Sequence, residues 1–331
     1  KYAKESQERE HGTNEVSIFP KRKRPQVADY SVFKTYGGLL EMTQKAFDRN
    51  KPLLNLSIYY PYDFYIGDLD DVDDLDKNRL LSIVALIRTG LLKRFESSPY
   101  AFEASCDRLL TKLRAWLEVH CETDREKDRL IRWTAQNQSI LDIELEKQLQ
   151  LWADDDDEEN EYEEEAEELI PTQLIEKFEE EKLDRALFNV PDIIDETFLD
   201  MDQLVKFLTE TQKVPPSKDD KLNKLKRTLK TKDFDGKKVI IFSEYTDTAR
   251  YIQKELVEDG IEGVERIDGS TSGDRLNVIR RFAPYYNGSS SQTLQDRGEK
   301  EIRVLVATDV ISEGLNLQDA TRVINYDIHW N

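Results

Sequence analysis

Val304-Leu305-Val306-Ala307-Thr308-Asp309-Val310-Ile311-Ser312-Glu313-Gly314-Leu315-Asn316-Leu317-Gln318, followed by Arg322-Val323-Ile324-Asn325-Tyr326-Asp327, decides the fold. The apolar run 304–307 reads as a strand buried on both faces, the pattern of a parallel sheet covered by helices. A polar loop follows at once. In an open α/β sheet the ligand crevice lies at the carboxyl ends of the strands, which puts Thr308, Asp309, Glu313, Gly314 and Asn316 where chemistry is usually placed. Gly314 lets backbone approach a ligand with no Cβ in the way.

The same grammar extends upstream. Lys238-Val239-Ile240-Ile241-Phe242-Ser243 is a second buried-strand run, and a helix through Leu256 is expected after it, with Thr246 as N-cap and Gly260 as its stop. Val264 to Thr271 reads as a third strand ending in the small turn Gly269-Ser270-Thr271. A helix with Leu276, Ile279 and Phe282 comes next, then a polar loop from Pro284 to Lys300, the opening strand, and a last strand from Val323 to Asp327. Strands alternating with helices imply right-handed parallel βαβ units.

Thr308-Asp309-x-x-x-Glu313-Gly314-x-Asn316-x-Gln318 resembles motif V of superfamily 2 helicase-like ATPases, and Ser312 to Gln318 resembles the wording of the Swi2/Snf2 branch, its bacterial RNA-polymerase-associated and phage-defence members above all. Val239 to Ser243 with Thr246 and Ala249 resembles motif IV, Asp268-Gly269-Ser270-Thr271 the turn that follows it, and Arg275 with Arg281-Phe282-Ala283-Pro284 the bacterial Swi2/Snf2 pattern. Several motifs stand in family order over about 95 residues. The fold this implies is an α/β, RecA-like parallel sheet, the second helicase lobe, truncated at its C-terminus and carrying a large all-α helical insertion.

The resemblance also implies roles. Ser243, Gly269, Ser270, Thr271 and Thr308 would hold a nucleic-acid backbone, through hydroxyls and backbone N–H groups that position a strand without reading bases. Glu313, Gly314 and Asn316 would border the nucleotide at the lobe interface, and Asp309, Gln318 and Arg275 would couple the two sites. For each residue taken singly, loop capping or turn formation is the alternative.

Bulk properties bound the partners. Net charge is −20, but residues 154–168 hold twelve acidic and no basic side chains, and setting them aside leaves −8. Such a chain is not coated in basic surface for nucleic acid, although a narrow basic path is compatible with it. Cys106 and Cys121 have neither metal-ligand spacing nor disulfide density, which fits a reducing cytosol. No apolar run approaches membrane-spanning length and no signal peptide is visible. A cytoplasmic, nucleoid-associated protein is expected.

Before the α/β part, three regions carry signal. Phe19-Pro20-Lys21-Arg22-Lys23-Arg24-Pro25 is either a solvated connector or a phosphate-contacting patch, and it resembles the segment joining the two lobes of Snf2-type enzymes, where a strand follows. Ser57 to Ile66 is aromatic, for packing or for base stacking, and the six aspartates within Asp68–Asp76 lack the glycine and terminal glutamate of a calcium loop. From Asn78 to Gln150 and from Phe198 to Thr211 the apolar spacing is helical, while 154–168 reads as a disordered acidic loop. Leu91-Leu92-Lys93-Arg94-Phe95-Glu96-Ser97-Ser98-Pro99 resembles a sequence in the helical insertion of bacterial Swi2/Snf2-related helicases, with Lys93 and Arg94 facing either a DNA backbone or solvent. Asp195-Glu196 imitates a magnesium-holding pair but sits in a helical pattern with no phosphate loop upstream.

The expected organisation is a connector over 1–30, a helical insertion over 31–215 and an incomplete RecA-like lobe over 216–331. Phosphoryl transfer needs a phosphate-cradling loop with its lysine, a carboxylate for magnesium and an arginine for transition-state charge. The resemblance places the first two on the other lobe and the arginine beyond Asn331. The expectation is therefore a piece inactive by itself, from an enzyme that binds ATP and Mg2+, DNA and its own N-terminal helicase lobe, with RNA polymerase or a defence-complex subunit as further partners. Two alternatives stand beside it: a non-catalytic nucleic-acid-binding module, and a protein-interaction module built on the helical region.

Overall fold

The computed structural model describes residues 23–48, 51–68, 72–154, 182–269, 275–308 and 316–327. The expected frayed start, the larger part of the basic run, the acidic loop beyond Asp154, and Ser270, Thr271, Asp309, Glu313 and Gly314 lie outside these residues.

The helical region begins with α1 (Val32–Tyr36) and α2 (Gly38–Ala46), separated by Gly37 at φ 52°. Among the described residues no strand precedes α1: residues 23–31 have no regular structure. Four long helices follow, α3 (Asp74–Ser97), α4 (Pro99–His120), α5 (Asp124–Asp154) and α6 (Val190–Thr211). Asp73 caps α3 by accepting from the Leu75 amide, and Asp74 and Asp76 sit in its first turn, where carboxylates complement the helix dipole. Pro99 ends α3: the residue before a proline is driven to extended backbone, and Ser98 adopts φ −159° and ψ 155°. Ser98 then caps α4, its hydroxyl accepting from the Ala101 amide at 3.1 Å. The two helices thus turn a corner at Ser97-Ser98.

The apolar spacing does what it predicts. Ile87, Leu91, Phe102, Leu113, Trp116, Leu204 and Phe207 close into one core. The aromatic run belongs to packing, since Tyr59 is 2% exposed and Tyr65 meets Phe188 with ring centroids 5.2 Å apart. His120 is buried against Trp116 and serves the return of the chain: its Nε2 accepts from the Leu183 amide at 3.2 Å, which leaves Nδ1–H to donate to the Trp116 carbonyl at 2.8 Å.

The α/β part opens with α7 (Asp220–Leu229), capped by Asp219, and continues β1 (Val239–Phe242), α8 (Thr246–Glu258), β2 (Val264–Ile267), α9 (Arg275–Phe282), α10 (Ser291–Asp296), β3 (Val304–Ala307) and β4 (Arg322–Asn325). The four strands are parallel in the order β2-β3-β1-β4, with Ile267 opposite Ala307 and Phe242 opposite both Ala307 and Asn325. Leu225, Leu229, Ile252 and Leu256 cover one face; Ile279, Phe282, Leu317 and Ala320 cover the other. This is the α/β, RecA-like sheet of the expected class. Edge strand β4 is less covered, with Val323 57% exposed.

Local details depart from expectation. Thr246 is the first helical residue of α8, and the preceding Tyr245 offers no side-chain cap. Leu276 is 73% exposed, because α9 spans only eight residues and turns Ile279 and Phe282 inward instead. The expected loop from 284 to 300 contains α10, a six-residue helix capped by Ser290 that buries only Leu294 and so leaves little periodic trace. Gly260 does close α8, at φ 78°.

One buried carboxylate links the helical core to pH. Asp200 accepts from the Asn55 and Leu56 amides at 2.6 and 2.7 Å, fixing Leu56 at a positive φ of 60°. Burial outweighs these donors and pushes its carboxyl from 3.8 up to about 7. A folded value above the unfolded one means the folded chain keeps a proton the unfolded chain has lost, so this contribution is complete below pH 3.8 and disappears as pH rises through about 7. Thermal unfolding of Asp200→Asn at pH 5 and pH 8 should show a smaller pH difference than the parent; an equal difference would rule this account out.

Candidate functional site

The carboxyl end of the sheet divides in two. On the β2–β3 side, the pairing of Ile267 with Ala307 brings Asp268 and Thr308 out side by side. Thr308 is 3% exposed, and its hydroxyl has no hydrogen-bond partner among the described residues. Its amide donates to the Ile267 carbonyl at 3.3 Å, so the strand end is held while the hydroxyl is not. Asp268 is fully buried and pairs with Arg266 at 2.8 Å. Arg275 reaches from the start of α9 to donate to the Gly269 carbonyl at 2.7 Å, bracing the turn from which Ser270 and Thr271 continue.

The β1–β4 side is closed. Ser243 is 1% exposed, and its hydroxyl donates to Asp327 Oδ2 at 2.7 Å. The hydroxyl expected at a phosphate is thus committed to a carboxylate inside the protein. Asp327 also accepts from the Glu244 amide at 3.0 Å, from the Ser97 hydroxyl at 2.9 Å and from Lys221 Nζ at 2.8 Å. Burial alone would raise its carboxyl; the Lys221 charge and these donors outweigh burial and hold it below the usual carboxylate range.

What closes this side is the α3–α4 corner. Thr248 Oγ1 lies 2.7 Å from Ser97 Oγ and 2.8 Å from Ser98 Oγ. Arg108 forms a two-pronged pair with Asp247, at 2.8 and 2.9 Å, both side chains buried. Lys93 reaches Glu244 at 3.4 Å, and the Arg94 guanidinium lies 4.5 Å from the Tyr245 ring centroid. Arg94 is 4% exposed, so the reading of this residue at a DNA backbone or in solvent is corrected: it packs between the helical region and the sheet.

The residues expected near the nucleotide are only partly described. The Asn316 carbonyl accepts from Asn287 Nδ2 at 2.9 Å, and Asn316 Nδ2 donates to the Tyr286 carbonyl at 3.4 Å. Its side-chain oxygen has no partner among the described residues. Gln318 is exposed in the turn before β4. The structure therefore groups Gly269, Arg275 and Thr308 and assigns Ser243 to a different cluster. Lys221, Asp327, Ser97, Arg108 and Asp247 carry no warning in the sequence, since Asp327 and Ser97 are 230 residues apart.

Parts of the chain are similar in sequence to known proteins. The profile of the helicase conserved C-terminal domain matches residues 220–331. An uncharacterized ATP-dependent helicase of Bacillus subtilis, YqhH, is 35% identical over 94 residues, 28% of this chain and 14% of that protein. The ATP-dependent RNA helicase ROK1 of Yarrowia lipolytica is 40% identical over 91 residues, 27% of this chain and 14% of that protein. The crystal structure of the C-terminal part of the Fun30 ATPase domain aligns with 91% of this chain and 72% of that one, at 17% identity and a TM-score of 0.33. The α/β part is thus similar to the conserved C-terminal domain of helicases over residues 220–331. The chain spans 14% of the length of the two curated relatives.

The Arg108–Asp247 pair has a measurable weight. Removing one member of a buried pair strands the other charge and typically costs about 3–5 kcal/mol, whereas replacing both with apolar side chains costs much less. Asp247 keeps Arg250 Nη1 at 3.9 Å, so in denaturant titrations Arg108→Met should lose about 3 kcal/mol, the lower end of that range, and the double variant Arg108→Met/Asp247→Leu should recover part of it. Equal losses would show that the charge is not what matters.

Proposed function

We propose that this lobe belongs to a Swi2/Snf2-type ATPase that moves along duplex DNA, and that it grips one strand of the duplex through the β2–β3 ends of its sheet. Thr308 carries the reading: its buried hydroxyl at a strand end has no partner among the described residues, which leaves it as a donor for a ligand. In this reading Thr308 Oγ1 donates to a phosphate oxygen, the backbone at Gly269 approaches the next one, and Arg275 keeps that turn in shape. Such contacts fix the register of a strand without selecting its sequence. The motif order and the Ser312 to Gln318 wording support the branch.

ATP and Mg2+ enter at the junction with the other helicase lobe. Asn316 fits a nucleotide neighbour, its unpartnered side-chain oxygen offering an acceptor to a sugar hydroxyl, with Glu313 and Gly314 completing that border. When bound, ATP supplies the free energy that closes the two lobes. This chain contributes positioning, and its 331 residues contain no G-x-x-x-x-G-K-[ST] sequence. RNA polymerase or a defence-complex subunit remains the proposed further partner.

Thr308→Val removes the hydroxyl and keeps the shape. Fluorescence anisotropy with a duplex DNA should show about tenfold weaker binding, the loss of roughly one hydrogen bond to a charged group, while the unfolding midpoint stays in place. Unchanged DNA affinity would remove the central support. Because several relatives are named as RNA helicases, the titration is repeated with duplex RNA of the same sequence, and tighter RNA binding would overturn the choice of DNA. The purified chain should release no phosphate from ATP with or without DNA; turnover that depends on DNA would show that it carries the whole engine.

A further inference from the structure

We infer that Lys93 to Pro99 is the socket that seats the helical region on the helicase lobe, and that Lys221 and Asp327 are the positioning pair that closes it. The sequence stretch stands out by resemblance, yet neither nucleic acid nor nucleotide is needed to account for its side chains. Lys93, Arg94, Ser97 and Ser98 reach the α/β part, while Phe95 packs in the helical core and Glu96 is exposed.

The socket joins the α3–α4 corner, α7, α8 and the ends of β1 and β4. Ser97 and Ser98, at the α3–α4 corner, bond Thr248 in the first turn of α8. Ser97 also donates to Asp327, just past β4, which takes Ser243 and the Glu244 amide from the end of β1. Lys221, in the first turn of α7, completes the ring. Its ammonium donates to Asp327 Oδ1 at 2.8 Å, to the Ser97 carbonyl at 3.0 Å and to the Glu96 carbonyl at 3.2 Å. Those are all three donors a lysine has. The ammonium also lies 4.1 Å from the centroid of the Tyr326 ring.

The stretch before α1 is tied to the same place. The Ser31 amide donates to Asp220 at 2.8 Å, the Asp220 amide donates to Thr35 at 3.1 Å, and the Tyr30 ring lies 5.6 Å from Lys221. The chain entering the helical region, the corner of that region and the chain leaving β4 therefore meet at one buried charge pair. A shift at any of the three changes the hydrogen bonds of the other two. The pair acts by position only, since it lies on the closed half of the sheet edge, away from Thr308.

Titratable groups around Asp327 are Lys221 on α7, Glu96 at the α3–α4 corner, Tyr36 on α1, Tyr30 before it, Tyr326 beside it, and Asp219 at the α7 cap. Lys221 supplies the positive charge. Lys221→Met strands a buried carboxylate that protonation relieves, so its destabilisation should shrink as pH falls from 8 to 5; a packing role for the lysine stem would give a loss independent of pH. Hydrogen exchange is the second readout. In Lys221→Met and in Ser97→Ala, which keeps both charges, amides at the α3–α4 corner and at Glu244 should exchange about tenfold faster, with Leu204 and Val306 unchanged.

Uniform acceleration across the chain, or a pH-independent loss, would reduce the pair to a general stabilising contact and overturn the proposal. Should Lys221→Met not fold, Lys221→Arg and Ser97→Ala decide it by the same exchange pattern. The experiment involves neither DNA nor ATP, so failure of the functional reading leaves this result intact, and the reverse also holds.

Discussion

A carboxylate cannot stay charged inside a protein unless its surroundings replace the water it loses. Asp327 meets that condition with one ammonium, two hydroxyls and one amide, drawn from α7, the α3–α4 corner and the end of β1. The requirement organises the upper part of the molecule. It ties the start of α7, the end of β1 and the α3–α4 corner together on the closed side of the sheet edge. The neighbouring Arg108–Asp247 pair applies the same constraint to α4 and α8.

The sheet was legible because each strand is a short uninterrupted apolar run followed by a polar turn, a pattern that depends only on near neighbours in sequence. The long helices were legible for a similar reason, the recurrence of Ile87, Leu91, Phe102, Leu113 and Trp116 along their buried sides. Small elements escaped. With one buried leucine, α10 offers no period to read, and Tyr245 before α8 has no capping side chain. The edges of elements are set by local hydrogen bonds that periodicity does not report.

The candidate site was legible in part, and the misses have a single origin. Thr308 and Gly269 stand where strand ends and small residues suggest, because their placement follows from the strands themselves. Ser243 stands there too, but a partner 84 residues downstream occupies its hydroxyl. Arg94 looked like a surface cation on an amphipathic helix and proved to be a buried one lying on Tyr245. Charge and hydroxyl content tell what a residue can bond, while the fold alone tells what reaches it first.

Strand β4 has a consequence of a different kind. Among the described strands it is paired on one side only, and its outward face leaves Val323 57% exposed. A row of unpaired backbone donors and acceptors beside an exposed valine is a template on which another strand can add. Among the described residues, a charged side chain at position 323 would disturb no packed neighbour and would disfavour such pairing.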